Sequence, residues 1–132
     1  MIALLSGQLN TTALAFIGDA VYELYARKRV LESGQINADR LHQMAVKYVK
    51  AEGQAKAIKS MFDALSAEEQ DLVKRARNKK SASKPKNADP VEYKLATAFE
   101  ALIGYLYIMG EISRMEEVIK LAIYTIDCEN QK

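Results

Sequence analysis

Two carboxylates stand in runs that are otherwise apolar and helical, and they constrain the fold more than any other feature. Leu14–Val30 reads LAFIGDAVYELYARKRV, with Asp19 in its apolar part, and Glu100 lies inside LATAFEALIGYLYIM. Side chains three and four positions apart share a helix face. Asp19 therefore shares its face with Ala15, Phe16, Tyr22 and Glu23, and Glu100 with Ala96, Thr97, Ile103 and Gly104. The small residues beside each carboxylate let two helices approach closely. Two such acids are expected to be buried, and neither can stay charged in an apolar interior without compensation. Either one holds a proton, or they meet Arg or Lys, or they share a cation, and the residues alone leave all three open. A carboxylate pair with room for water and phosphate is the ligand set Mg²⁺ prefers. Glu23 has a simpler partner in Arg27, four residues further on.

The rest of the chain also reads as helix. A first helix is expected from about Thr11 to Glu32, with Leu14, Ile17, Val21 and Leu24 at helical spacing and Gly34 as its stop. Asn37 caps a second helix carrying Leu41, Met44, Ala45, Tyr48 and Val49. Gly53 marks a break before a third with Ala57, Ile58, Met61, Phe62 and Leu65. Ser66-Ala-Glu-Glu69 is a capping box that opens a helix to about Arg77. Asp89-Pro90-Val-Glu92 supplies an N-cap, a proline at the first helical position and a capping-box glutamate. That helix carries Leu95, Phe99, Leu102, Ile103 and Leu106 and ends near Gly110, and Ser113-Arg-Met-Glu116 caps a last one to about Asp127. No strand alternation of useful length and no internal repeat occurs, so the class is all-α.

The 132 residues, 49% hydrophobic, suffice for one domain with one core. No run of eighteen apolar residues suggests a membrane span, and MIALLSGQLN lacks the basic region of a signal peptide. The single cysteine, Cys128, excludes an intramolecular disulfide and a cysteine-rich zinc site, which fits a reducing, cytoplasmic compartment. The net charge of +2 hides an asymmetry. Seven basic residues (Lys74, Arg75, Arg77, Lys79, Lys80, Lys84 and Lys86) fall in a stretch with no acid, so the remainder is acidic. Such a segment, with a loop over about 78–89, is either a solvated face or a contact for a polyanion. His42, on an amphipathic helix, reads as a surface or structural histidine. No GxGxxG, Walker loop or HExxH pattern is present, and the methionines and tyrosines read mostly as core.

LAFIGDAVYEL resembles the signature helix of the ribonuclease III family, commonly ERLEFLGDAVLEL, and ATAFEALIGYLY resembles that family's second acidic motif, ADxFEALIGAIY. Both matches centre on the two unusual carboxylates, and the order and spacing agree along the whole chain. Within the family, LAFIGD in place of LEFLGD and the basic stretch RARNKKSASKPKN resemble the short bacterial branch without a double-stranded-RNA-binding domain. The resemblance implies a multi-helix ribonuclease III endonuclease-type fold over residues 1–132 and a symmetric homodimer. It also implies Mg²⁺-dependent cleavage of double-stranded RNA, with Mn²⁺ as a substitute, leaving 5′-phosphate and 3′-hydroxyl ends. Asp19 and Glu100 match family metal ligands. Thr12, Ala15 and Thr97 stand where the family motifs carry further acids, which leaves fewer protein ligands per site. Arg75, Arg77, Asn78, Lys79, Lys80, Lys84 and Lys86 are the expected RNA contacts.

The branch implies maturation of precursor 23S ribosomal RNA, within ribosome biogenesis, and leaves room for a ribosomal-protein helper; no membrane partner is expected. Two other classes remain open on the residues themselves. One is a noncatalytic double-stranded-RNA-binding or ribosome-associated helical module. The other is an interaction protein whose acids pair with Arg or Lys.

Overall fold

Nine residues of the segment opened by Asp89 and Pro90 are buried, and the other helices are laid around it. The computed structural model describes residues 10–79 and 86–130. In chain order these form α1 (Thr11–Leu31), α2 (Ala38–Val49), α3 (Ala51–Met61), a 3₁₀ turn (Phe62–Ala64), α4 (Ala67–Asn78), α5 (Pro90–Ile108) and α6 (Ile112–Asn130). No strand occurs among the described residues. The all-α expectation holds. Helix α5 packs most extensively on α1, then on α3 and α4, while α6 closes over α3.

The caps explain most helix starts. Asn10 Oδ1 accepts from the Thr12 and Ala13 amides at 2.8 and 3.4 Å, and Asn37 Oδ1 from Arg40 at 3.0 Å. The Ser66–Glu69 box is closed in both directions, at 3.2 and 2.9 Å. Asp89 accepts from Val91 and Glu92. Each such cap contributes about 1 kcal/mol. Gly110, at φ +76°, takes the left-handed position after α5 that a side chain would disfavour.

Four expectations are corrected. Gly53 lies inside α3; the break falls at Lys50, whose backbone is extended. A Cβ on Gly53 would come within 2.6 Å of the Lys47 carbonyl and 3.3 Å of Ile126 Cδ1, so the glycine serves close packing. The third helix ends at Met61, and Phe62 enters the 3₁₀ turn. Ser113 sits within the first turn of α6, whose first backbone bond runs from Met115 N to the Glu111 carbonyl. Finally, Leu24 is 67% exposed. The inward stripe of α1 is Leu14, Gly18, Tyr22, Ala26 and Val30, a spacing of four that suits ridge-into-groove packing through small residues.

Tyr22 and Phe99 meet edge to face with centroids 4.9 Å apart, worth about 1 kcal/mol beyond their burial. Polar ties hold the periphery. Asp127 of α6 accepts from Tyr48 at 2.6 Å and from Arg29 at 3.1 Å, joining α6 to α2 and α1. Arg114 of α6 reaches Glu69 of α4 with two bonds, at 2.8 and 2.9 Å. No described helix is long and apolar enough to cross a membrane.

Candidate active site

Two glycines bring α1 and α5 together backbone to backbone. A Cβ on Gly18 would collide with the Glu100 carbonyl, and one on Gly104 would collide with the Leu14 carbonyl and lie 2.9 Å from Ile17 Cγ2. Gly18 thus faces Glu100 while Gly104 faces Leu14, so the helices pass in opposite directions. This reciprocal contact fixes the register in which Asp19, directly after Gly18, reaches Glu100.

The two carboxyls lie within hydrogen-bond reach of each other. Their burial differs from expectation. Glu100 is partly buried, but Asp19 is exposed. The reason is that α1 is apolar on its outer face as well, where Phe16 is 83% exposed, so apolar sequence neighbours do not imply burial at position 19. The site therefore lies at the edge of the crossing, with Glu100 partly buried and Asp19 at the surface.

Electrostatics follow from that placement. Burial, and then the adjacent Asp19 carboxyl, push Glu100 up to about 8, and the side chain of Gln54 pulls it partly back. Neither acid forms an ion pair with Lys or Arg among the described residues; the nearby Glu23 is taken by Arg27 at 2.6 Å. Of the three ways to compensate the pair, the salt bridge is not made among the described residues, and a shared proton or a cation remains. An exposed carboxylate beside a partly buried one, without a competing cation, fits a divalent metal that keeps water and phosphate ligands. No group of three or more His, Cys, Asp or Glu occurs among the described residues, so Asp19 and Glu100 stand as a pair. The Thr97 hydroxyl donates to the Tyr93 carbonyl at 2.9 Å.

Gln54 is a site residue the sequence reading missed. It is 2% exposed, on α3, against Glu100. A signal existed. Ala57, Ile58 and Met61 form the inward stripe of α3, and one turn back the same stripe reaches position 54, where an amide stands in place of an apolar side chain.

The basic segment begins on the last turns of α4. Arg75, Arg77 and Asn78 are exposed, as are Lys79 and Lys86. Lys79 Nζ donates to Asn10 Oδ1 at 2.8 Å, which ties the start of the loop to the start of α1. Asp19 lies nine positions further along the chain from Asn10, about 14 Å along the axis. Lys80 and Lys84 lie outside the described residues. His42 is exposed on α2, in keeping with a surface histidine.

A family model for the ribonuclease III domain matches residues 12–111. Among curated proteins, the chain is 45% identical over 119 residues to a Mini-ribonuclease 3 of Thermoanaerobacter sp. (strain X514), covering 90% of this chain and 84% of that one. It is 47% identical over 114 residues to the Mini-ribonuclease 3 of Symbiobacterium thermophilum, covering 86% and 88%. Identity to the Enterococcus faecalis Mini-ribonuclease 3 is 42% over 127 residues, with 95% and 96% covered. A crystal structure of a Fusobacterium nucleatum protein superposes with a TM-score of 0.79 at 33% identity, covering 89% of this chain and 93% of that one. The two carboxylate motifs, the glycine-locked crossing between them and these likenesses agree that the chain belongs to the ribonuclease III family of endoribonucleases.

Proposed function

We propose that this chain is a Mg²⁺-dependent endoribonuclease that cuts double-stranded RNA as a homodimer, with precursor 23S ribosomal RNA as its substrate. The observation that carries the reading is the Asp19–Glu100 pair at the α1–α5 crossing, which has no Lys or Arg ion-pair partner among the described residues. A pair of acids so placed is relieved by a divalent cation, and the family resemblance supplies the chemistry.

Asp19 and Glu100 would hold the cation. When bound, it supplies a Lewis acid for the scissile phosphodiester and lowers the pKa of water in its shell. The chain's own part is to set the geometry. Gly18 and Gly104 hold the two carboxyls in register, and Glu100 gives up its proton to ligate. Asp19 faces solvent, the side from which the RNA backbone would arrive. With no third acid grouped with the pair among the described residues, more of the coordination would fall to water and phosphate oxygens.

The homodimer reading draws support from the outer face of α1. Phe16, Ala20 and Leu24 are exposed at a spacing of four, forming an apolar ridge beside Asp19. Paired about a two-fold axis along that ridge, two copies would present one carboxylate pair to each strand of a duplex. The exposed Arg75, Arg77, Asn78, Lys79 and Lys86 suit phosphate and 2′-hydroxyl contacts, the main means of reading double-stranded RNA.

The test is incubation with long duplex RNA in Mg²⁺, beside Asp19→Asn and Glu100→Gln. Each variant is expected to cut on the order of 1,000-fold more slowly, a loss of several kcal/mol of transition-state stabilisation, with helicity and dimer unchanged. Full activity in either variant would refute the assigned roles. Duplex binding by the wild type without cutting in Mg²⁺ or Mn²⁺ would leave a binding module instead.

A further inference from the structure

We propose that Gln54 is a positioning residue for Glu100: its side-chain amide donates to the carboxylate and holds it in the orientation that binds a cation. The inference rests on the cation site proposed above and adds a residue from a third helix to it.

Burial makes the amide conspicuous. Gln54 is 2% exposed, and its Nε2 has no regular hydrogen-bond partner among the described residues. An unpartnered buried donor is costly, so a packing role alone would favour an apolar side chain. The other members of its stripe, Ala57, Ile58 and Met61, are apolar and buried against the core. Methionine or leucine would continue that pattern. The polar group Gln54 faces is the Glu100 carboxyl.

Its depth is set by its neighbour in sequence. Gly53 lets the first turn of α3 lie against the end of α2 and against Ile126 of α6, since a Cβ there would crowd the Lys47 carbonyl. With α3 seated so closely, position 54 falls on the side of α3 that meets α5.

The residue type fits the task. A carboxylate that ligates a cation through one oxygen needs a donor on its remaining lone pairs to keep it from rotating. Lysine or arginine at 54 would supply that donor but would also neutralise Glu100 and repel the cation. A glutamate would add charge without a donor. A neutral amide supplies the hydrogen bond and leaves the negative charge for the metal. The unfilled Nε2 is then a group waiting for Glu100 in its charged, cation-binding orientation.

Manganese binding tests this without relying on turnover. Free Mn²⁺ is followed by its paramagnetic resonance signal during titration of the metal-free full chain, in wild type, Gln54→Met, Gln54→Leu and Asp19→Asn. The expected result is Asp19-dependent binding in the wild type, weakened about tenfold in both Gln54 variants. The Mg²⁺ concentration for half-maximal cleavage rises by a similar factor, while the rate at saturating Mg²⁺ changes much less. The melting temperature of the metal-free Gln54→Met and Gln54→Leu proteins holds or rises, because an unpartnered donor has been removed. A purely structural role gives the reverse, a lower melting temperature with unchanged affinity, and that result would overturn the proposal. Mn²⁺ affinity within twofold of wild type in both variants overturns the Gln54 role alone. Wild-type protein without Asp19-dependent binding overturns the cation site and this role with it.

Discussion

Glu69 and Glu100 are both glutamates withdrawn from solvent between helices, and their surroundings are opposite. Glu69 is 6% exposed and fully partnered: Arg114 gives it two bonds, and the Ser66 amide adds a third. Hydrogen bonding to Arg114 holds its carboxyl below the ordinary range. Glu100 meets another carboxyl and an amide, with no cationic side chain among the described residues, and is pushed up to about 8. The first arrangement is complete within the chain. The second is unbalanced electrostatically, is exposed to water at Asp19, and is relieved by a retained proton or by a bound cation. Burial of an acid therefore does not separate a structural role from a chemical one. The identity of its partners does.

The comparison breaks most sharply at Gly104. Alanine there must push its Cβ into the Leu14 carbonyl, so α1 and α5 have to separate. Forced overpacking of this kind costs about 3 kcal/mol, at the upper end of its range. Displacing the carboxyls by about 1 Å lowers cleavage on the order of 100-fold. Melting temperature and the cleavage rate at saturating Mg²⁺ should fall together, while the Glu69 side of the molecule is untouched. A Gly104→Ala protein with wild-type cleavage would show that the crossing does not set the pair.

Arg114→Met should give the complementary result. It strands Glu69 without its cation, and because Arg114 retains 30% side-chain exposure the loss is about 2 kcal/mol, below the usual figure for a fully buried pair. The melting temperature drops by several degrees. Cleavage per folded molecule stays at the wild-type level, since α4 and α6 do not carry the carboxylate pair. A matching fall in catalysis would erase the distinction drawn between the two glutamates.

How much of this was legible in the sequence depended on whether the signal was local. The caps at Asn37, Ser66 and Asp89 are local hydrogen-bonding patterns, and all three start helices where expected. That Asp19 and Glu100 would meet was legible because both interrupt apolar runs, and the glycine beside the first and four residues beyond the second foreshadowed the close crossing. What failed required knowing which face of a helix meets what. Helix α1 is apolar on two faces, so composition could not say that Leu24 and Asp19 lie outside. Gly53 has the residue type of a break but is needed for contact with the Lys47 carbonyl, sixth before it in the chain, and with Ile126, far along it. Gln54 escaped because an amide becomes informative only once its surroundings are known to be apolar and its neighbour is Glu100.

The smallest expected effect sharpens the comparison by sign. The folded-state pKa of Glu100, about 8, lies above the ordinary 4.5, so the folded chain keeps a proton that the unfolded chain releases between those values. Its stabilising contribution is complete below about pH 4.5 and is lost as pH rises through 8. Glu69 runs the other way: its carboxyl is lowered, so its contribution is present above the ordinary value and is lost as acid protonates it. The metal-free protein should thus be most stable in mild acid and lose roughly 1–2 kcal/mol toward pH 8, a modest figure because water reaches the pair at Asp19. Glu100→Gln should flatten the alkaline limb of a melting-temperature profile and leave the acid limb, while Arg114→Met should do the opposite. Added Mg²⁺ competes with the proton for the pair, so its stabilising effect should grow over the same interval in which the metal-free protein weakens. An alkaline limb that survives Glu100→Gln would mean that another group carries the proton and that the two glutamates differ less than their partners imply.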